Sequence, residues 1–345
     1  MTTLQSPDTV QATLGWGIVG TGRISTSVVA DLTQCAGAEI LSVHSRDASK
    51  AAAFAEQFGA PRSADSYDEL LADTGIDVVY IATPFATHHE MTRQALLAGK
   101  HVLVEKPMAM TANEVEDLFQ LAAERNLFLM EGMWMKFNPA FNRLQEEIAA
   151  GSIGEPRSLR AMFGMPFPQD GGSRWDVKRS GSTLLDQGIY PVTLAHMVFG
   201  APESVHAAGT VRSDGLDLAG HFTLEYSDGR FAQCAASTLE FADLAGSVSG
   251  TKGWMVLPGP FWATTSLRMH TGSWQNIIHA PEAIDLDREG NGYIPMLRGV
   301  SDAIAAGLTE HPVHTAADTV AVFRTLDKIR AAIGAGTPTL ESNKQ

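Results

Sequence analysis

The stretch WGIVGTGRIS, residues 16–25, decides how the rest of this chain is read. Trp16 to Val19 form a short apolar run of strand type. The run breaks at Gly20-Thr21-Gly22, after which Ile24, Val28 and Leu32 recur at i, i+4 and i+8, the spacing of one helix face. A strand that turns through two closely spaced glycines into a helix has a physical use. Gly20 permits the tight turn, and Gly22 lets the backbone approach a pyrophosphate drawn to the helix N-terminus. Ser25 is small enough for helix and strand to pack closely. Gly20-x-Gly22-x-x-Ser25, set between a strand and a helix, therefore predicts a dinucleotide site, with Thr21, Arg23 and Ile24 beside it.

The surrounding chain repeats the strand-helix alternation. EILSVHS (39–45), DVVYIATP (77–84), HVLV (101–104) and LFLMEG (127–132) read as strands, with helical patterns over 49–58 and 88–98 between them. Thr111 and Glu114 have capping-box spacing and open a helix to about Arg125. Apolar strands joined by crossover helices imply a parallel sheet covered on both faces. After Gly132 the texture changes. HFTLEYSDGRFAQCAAS (221–237) sets a Ser-Asp-Gly turn between two strand-like runs, and 250–270 continues in that manner, so a mainly antiparallel sheet is expected. A helical segment spans Gly181 to Phe199, and one long helical pattern runs from Ile294 to Ile333 and stops at Gly334. The expected fold class is α/β: a disordered tail over 1–13, a Rossmann domain over 14–131, and an α/β domain with a large open, mainly antiparallel sheet over 132–345.

The end of the second strand bears on the choice of dinucleotide. NAD sites usually offer an acid there to the ribose 2′-hydroxyl, whereas this chain has Ser45-Arg46, with Asp47 next and Lys50 nearby. A guanidinium and a hydroxyl suit a 2′-phosphate, so NADP is preferred, with NAD left open because Asp47 could serve a ribose. The fifth strand poses a different question. HVLV runs straight into Glu105-Lys106-Pro107, which places Lys106 at the carboxyl edge of a parallel sheet, where such folds bind ligands.

Composition removes several function classes. At 345 residues two domains are the better prior, and 44% apolar with 19% charged residues is ordinary for a globular protein. A net charge of −14 without any basic run argues against nucleic acid and against an anionic membrane surface. Cys35 and Cys234 are far apart and form no C-x-x-C pattern. No secretory signal and no apolar run long enough for a membrane helix is visible, so a cytoplasmic location is expected. His88-His89 are adjacent and cannot aim at one ion, and His311 and His314 flank a proline; no metal is proposed.

GIVGTGRIS, IATPFATHHE, AGKHVLVEKPMAMT, LLDQGIYPVTLAHMVFG and EGNGYIPML occur in an order and spacing that resembles the Gfo/Idh/MocA oxidoreductases over nearly the whole chain. Within that family LFLMEGMWMKFNPAF and Tyr190 are most similar to the branch of dimeric dihydrodiol dehydrogenases, NADP-linked xylose dehydrogenases and glucose-fructose oxidoreductase. The resemblance implies an oxidoreductase for a sugar, polyol or cyclic diol. It also implies homodimers or higher homo-oligomers built through the exposed face of the second sheet. It places Thr83, Pro84, His88, Glu105 and Lys106 along the cofactor and Trp134 on the wall of the substrate pocket. Tyr190 takes the proton-transfer position, with Lys106 and Asp186 completing a catalytic group that also meets substrate. Arg174, Trp175 and Asp176 precede that segment and are weaker candidates. Two departures concern the approach to the substrate: Ser180-Gly181-Ser182 stands where relatives often carry three glycines, and Lys136 stands where arginine is more usual.

The chemistry of the trio has its own logic. A phenol with a pKa near 10 is a poor base at neutral pH, and a neighbouring ammonium is expected to lower it. If the segment is helical, Asp186 and Tyr190 share one face, with a kink or fresh helix start at Pro191. Two other expectations stand beside the enzyme: a non-catalytic dinucleotide-binding sensor or regulator of the same fold, and an enzyme that keeps its cofactor bound and recycles it between two substrates.

Overall fold

The computed structural model describes residues 13–179 and 181–336. The expected N-terminal tail therefore lies outside the described residues except at its last position, and so does Ser180. The first part of the chain runs β1 (Leu14–Val19), α1 (Arg23–Leu32), β2 (Ala38–His44), α2 (Ala48–Phe58), β3 (Arg62–Ser63), α3 (Tyr67–Ala72), β4 (Val78–Ile81), α4 (His88–Leu97), β5 (His101–Val104), α5 (Ala112–Arg125) and β6 (Leu129–Glu131). Its six strands lie in the order β3-β2-β1-β4-β5-β6, and every pairing is parallel. This is the Rossmann order, and the strand sequence reverses between β1 and β4, which opens a crevice at the carboxyl ends of those strands. β4 buries all four of its residues, as a strand covered on both faces must.

Local signals set the helix ends. Asp47 caps α2, Ser66 caps α3, and Gly59 closes α2 at φ 71°. At α5 the capping box forms by half. The Thr111 hydroxyl accepts from Glu114 N, but the Glu114 carboxylate accepts from Met110 N at 2.8 Å, outside the helix.

The second part contains α6 (Pro139–Ala149), β7 (Pro156–Gly164), α7 (Ile189–Phe199), β8 (Ser204–Val211), β9 (Asp217–Glu225), β10 (Phe231–Ser237), β11 (Gly246–Gly250), β12 (Gly253–Leu257), β13 (Ser266–His270), α8 (Trp274–His279), β14 (Glu282–Asp285), α9 (Ile294–Ala305) and α10 (Ala316–Ile333). Eight strands form one sheet in the order β14-β13-β12-β11-β7-β10-β9-β8. Only the β7–β10 pairing is parallel. Burial alternates along these strands: Leu159, Ala161 and Phe163 of β7 face inward with Phe222, Ala232, Val248 and Met255. α7 and α10 pack against that side of the sheet. Arg160, Met162, Gln233, Trp254 and Arg268 occupy the other side, in step with the period of two.

The C-terminal region departs from expectation. The single helical pattern over Ile294–Ile333 is two helices, because Gly307 turns the chain at φ 71° and a full capping box of Thr315 and Asp318 starts α10 afresh. The two helices also go to different places. α9 packs on α1, and Ile294, Met296, Leu297 and Val300 share a core with Val28, Leu32 and Ile40 of the first sheet's layer. The buried Asp31 carboxylate fastens this arrangement by accepting from Asn291 N at 2.8 Å and Tyr293 N at 2.9 Å. A boundary at residue 131 therefore does not divide two independent cores.

Candidate active site

One cleft of about 750 Å³ runs across the carboxyl edge of the first sheet and ends beneath α7. At its first end, Gly20 has φ 104°, and a Cβ there would lie 2.4 Å from Ala82 O, so only glycine fits the turn. A Cβ at Gly22 would meet nothing within 4 Å: the backbone faces open cleft. Gly22 also caps α1 without any side-chain hydrogen bond, which leaves the first N–H groups of the helix for a ligand. Ser25 is fully buried behind them. Ile24 departs from the core stripe expected of it, being 37% exposed and part of the cleft wall.

Thr21, Ser45, Arg46 and Lys50 line the same end, and the Thr21 hydroxyl donates to Ser45 Oγ at 3.4 Å. Arg46 is exposed and has no ion-pair partner among the described residues. Asp47 is already engaged. Its Oδ1 accepts from Ser49 N at 3.1 Å, Ser49 Oγ at 2.6 Å and Lys50 N at 3.2 Å, and these contacts hold its carboxyl below the ordinary range. Arg23 is exposed at the head of α1 and is the one expected cofactor residue outside the cleft lining.

Thr83 and Pro84 form the middle of the wall, where β4 ends. His88 lines it too, but both ring nitrogens face backbone carbonyls, Thr83 O and Pro107 O, each at 2.7 Å. Neither nitrogen is left for a ligand, and His88 joins two strand-end loops. Burial draws its pKa down against those carbonyls. Glu105 lies on the floor, buried. Tyr80 Oη donates to its Oε1 at 2.8 Å and Lys106 N to its Oε2 at 3.2 Å, and desolvation lifts the carboxyl to about 7 despite both.

The far end gathers the three expected catalytic side chains. Lys106 Nζ donates to Asp186 O at 2.7 Å and to Asp186 Oδ1 at 3.1 Å, and it stands 4.9 Å from the centre of the Tyr190 ring. Arg174 Nε donates to Asp186 Oδ2 at 2.7 Å. Trp134 Nε1 donates to Tyr190 Oη at 3.2 Å, a role for Trp134 beyond the pocket wall expected of it. Trp262 and Phe163 stack on each other at 3.6 Å, each ring 5.8 Å from Tyr190.

The backbone explains how Asp186 and Tyr190 come together. Leu184–Gly188 forms a π turn, and α7 starts at Ile189. Pro191 thus falls in the first turn of a new helix, where its missing N–H costs little, as the fresh-start expectation required. The π turn inserts one extra residue ahead of that start, a feature often met at functional sites. Its beginning is fixed from outside: the carboxylate of Asp217 on β9 accepts from Leu184 N at 2.6 Å. Nothing in the sequence around Asp217 pointed to this.

Electrostatics correct one expectation. Burial raises the Tyr190 phenol above its ordinary value, and the pull of Lys106 and Trp134 in the other direction does not cancel it. Burial acts to lower the Lys106 ammonium pKa, but Tyr190 and Asp186 outweigh it and the net shift is upward, so the amine is a fixed cation. Burial likewise opposes ionisation of Asp186, and Lys106 and Arg174 overcome it. Of the weaker candidates, Arg174 joins the site. Trp175 instead donates to Pro168 O, and Asp176 accepts from Lys178 N. Lys136 is buried and paired with Asp318 at 2.9 Å, away from the cleft lining. Among the described residues no cluster of His, Cys, Asp and Glu is placed to hold a metal, and no helix is long and apolar enough to cross a membrane.

Free helix N–H groups, an open backbone at Gly22 and an unpaired Arg46 fit a pyridine dinucleotide, and a cleft of this design on a sheet in this strand order belongs to an NAD(P)-dependent oxidoreductase. Residues 14–133 match the description "Oxidoreductase family, NAD-binding Rossmann fold", and residues 141–256 match "GFO/IDH/MocA C-terminal domain". The chain belongs to the Gfo/Idh/MocA oxidoreductase family. It is 34% identical over 334 residues to trans-1,2-dihydrobenzene-1,2-diol dehydrogenase of Homo sapiens, covering 94% of this chain and 98% of that one. A 3-ketoreductase from Actinomadura kijaniata, solved with NADP and TDP-benzene, superposes with a TM-score of 0.83 at 26% identity, over 93% of this chain and 98% of that one. Levoglucosan dehydrogenase, solved with NADH and levoglucosan, shares the fold with a TM-score of 0.84 at 20% identity, covering 93% of this chain and 97% of that one.

Proposed function

We propose that this protein moves hydride between nicotinamide C4 of NADP and a secondary alcohol or hemiacetal carbon of a sugar, polyol or cyclic diol, with Tyr190 as acid and base. The observation that carries the reading is the Lys106 ammonium fixed between the Asp186 carboxylate and the Tyr190 ring at the end of a dinucleotide cleft. The bound cofactor supplies or accepts the hydride. Tyr190 Oη exchanges the hydroxyl proton of the substrate, Lys106 stabilises negative charge on the phenol or substrate oxygen, Asp186 holds Lys106, and Trp134 orients the phenol. Reduction of the matching ketone uses the same groups in reverse. The named activities of the relatives, on a dihydrodiol and a keto group, support a hydroxylated ring as substrate. Following cofactor absorbance with a panel of sugars and cyclic diols tests the reading. Tight dinucleotide binding with no turnover on any of them would favour the sensor.

NADP is preferred to NAD because Asp47 is committed to its helix cap while Arg46 has no ion-pair partner among the described residues. A charge-assisted contact from Arg46 to a 2′-phosphate is worth about 1.5–3 kcal/mol. Arg46→Ala should therefore weaken NADP binding by about tenfold to a hundredfold and leave NAD binding nearly unchanged, as fluorescence titration would register. Equal losses for both dinucleotides would remove the assignment.

A second copy of the chain is the partner expected on the outward face of the eight-stranded sheet, where Met162 is 39% exposed beside a row of polar residues. Light scattering should give twice the chain mass, and Met162→Glu should shift the population toward monomer. Two free, buried cysteines accord with a reducing cytoplasm.

A further inference from the structure

After Lys106 the chain runs to Thr111 with neither strand nor helix, yet Pro107 to Met110 are buried. The Lys106–Pro107 peptide is cis. In place of a ladder, side chains from four elements take up the polar backbone groups of this segment. His88 of α4 meets Pro107 O at 2.7 Å; Glu131, the last residue of β6, accepts from Met108 N at 3.0 Å; and Glu114 of α5 accepts from Met110 N at 2.8 Å. From α10, Arg330 Nη2 donates to Met110 O at 2.8 Å, and just past the segment Asp327 Oδ2 accepts from the N–H of Ala112, the first residue of α5, at 2.9 Å.

Glu131 is the most deeply placed of these carboxylates, at 1% exposure. Its Oε2 lies 3.2 Å from His314 Nε2, which Thr319 Oγ1 also approaches at 3.3 Å. His314 Nδ1 has no partner, and burial draws the ring's pKa down. Because Nε2 faces a carboxylate oxygen, which can only accept, Nε2 carries a proton and donates it to Glu131. A buried carboxylate needs such partners, because uncompensated burial of a charge is strongly unfavourable. Glu131 does not line the cleft, so its route to the chemistry is the amide of Met108, two residues beyond Lys106 and joined to it by the rigid ring of Pro107.

We infer that Glu131, oriented by His314, is a positioning residue that clamps the Met108 amide and thereby fixes the Lys106 ammonium against Asp186 and Tyr190. This rests on the proposed role of Lys106. The clamp ties the reacting end of the cleft to the 310–319 segment and α10, which lie beyond the second sheet in sequence.

The test uses the full chain with NADP and the best alcohol found. Glu131→Met keeps the volume and removes the acceptor. It should lower kcat by about tenfold to a hundredfold, the scale on which a displaced catalytic group acts. The dissociation constant for NADP should stay within about twofold, and the alkaline limb of kcat against pH should move upward, since a loosened ammonium lowers the phenol pKa less. Glu131→Gln keeps an acceptor for Met108 N and should restore most of kcat. If Glu131→Met fails to fold, His314→Ala takes its place, with the same direction and a smaller loss expected. A folded Glu131→Met (or His314→Ala) enzyme with wild-type kcat and pH profile, or Glu131→Gln as impaired as Glu131→Met, overturns the inference. Lys106→Met separates the levels: if it retains turnover, the reading of Lys106 fails, whereas an inactive Lys106→Met beside a fully active Glu131→Met defeats the clamp alone.

Discussion

Lys106→Met is expected to lower kcat by about a thousandfold, the cost of removing one preorganised charge at a developing oxyanion, with NADP affinity changed only a few-fold. The ammonium is a cation at every working pH, because Tyr190 and Asp186 outweigh the effect of its burial. Its side chain is 13% exposed, so its field on the nearby phenol acts through a poorly screening medium. Methionine keeps the apolar stem and removes the charge. Asp186 is not orphaned by the change, since Arg174 still holds Oδ2 at 2.7 Å, and the fold should survive. The reverse truncation is less informative: Asp186→Ala strips a buried ammonium of its counter-ion, which costs about 3–5 kcal/mol in comparable sites and confuses stability with rate. Single-turnover hydride transfer is the measurement, and an unchanged rate would remove Lys106 from the chemistry.

Tyr190→Phe should lower kcat by about 10²- to 10⁴-fold, the range for loss of a general acid or base. The aromatic packing against Phe163 and Trp262 is kept, so the loss reports the hydroxyl alone. Trp134 Nε1 forfeits its acceptor, a stability cost of about 1–3 kcal/mol that a melting curve would show separately. The pH profile carries the sign. Burial holds the phenol above its ordinary value, so near neutrality it is protonated and ready to act as the acid in reduction. Oxidation needs the phenolate, and its rate should rise with pH toward an alkaline plateau while reduction falls over the same range. Tyr190→Phe should abolish that dependence, and Lys106→Met should move the limb to higher pH, because the ammonium is what lowers the phenol. A wild-type profile in Tyr190→Phe would mean that another group moves the proton.

How much of this was legible beforehand varies with distance along the chain. The turn at Gly20 and Gly22, the strand that stops two residues before Lys106 and the hairpin around Asp228 are local patterns, and each formed where the sequence put it. The meeting of Lys106 with Asp186, eighty residues on, came from the family resemblance and from no periodicity. Three features stayed hidden. The cap role of Asp47 looks the same in sequence as a ribose acceptor, because both need an acid after the strand. The π turn leaves no mark in a pattern that assumes 3.6 residues per turn. The break between α9 and α10 was obscured because apolar spacing persists on both sides of Gly307, although the two helices serve different sheets.

The Asp31 fastening of residues 291–293 has an implication for ancestry and for engineering. Gly292, at φ 104°, is laid so close to the Trp134 ring that a Cβ would come within 3.0 Å, so one short strap touches both the nucleotide layer and the wall beside Tyr190. The nucleotide half is consequently no detachable cassette. Excised at residue 131 it would expose the apolar flank of Val28 and Leu32 to water, and grafted onto a foreign partner it would lack the strap that packs beside Trp134. Recombination in such a chain has to carry the far terminus along with the beginning.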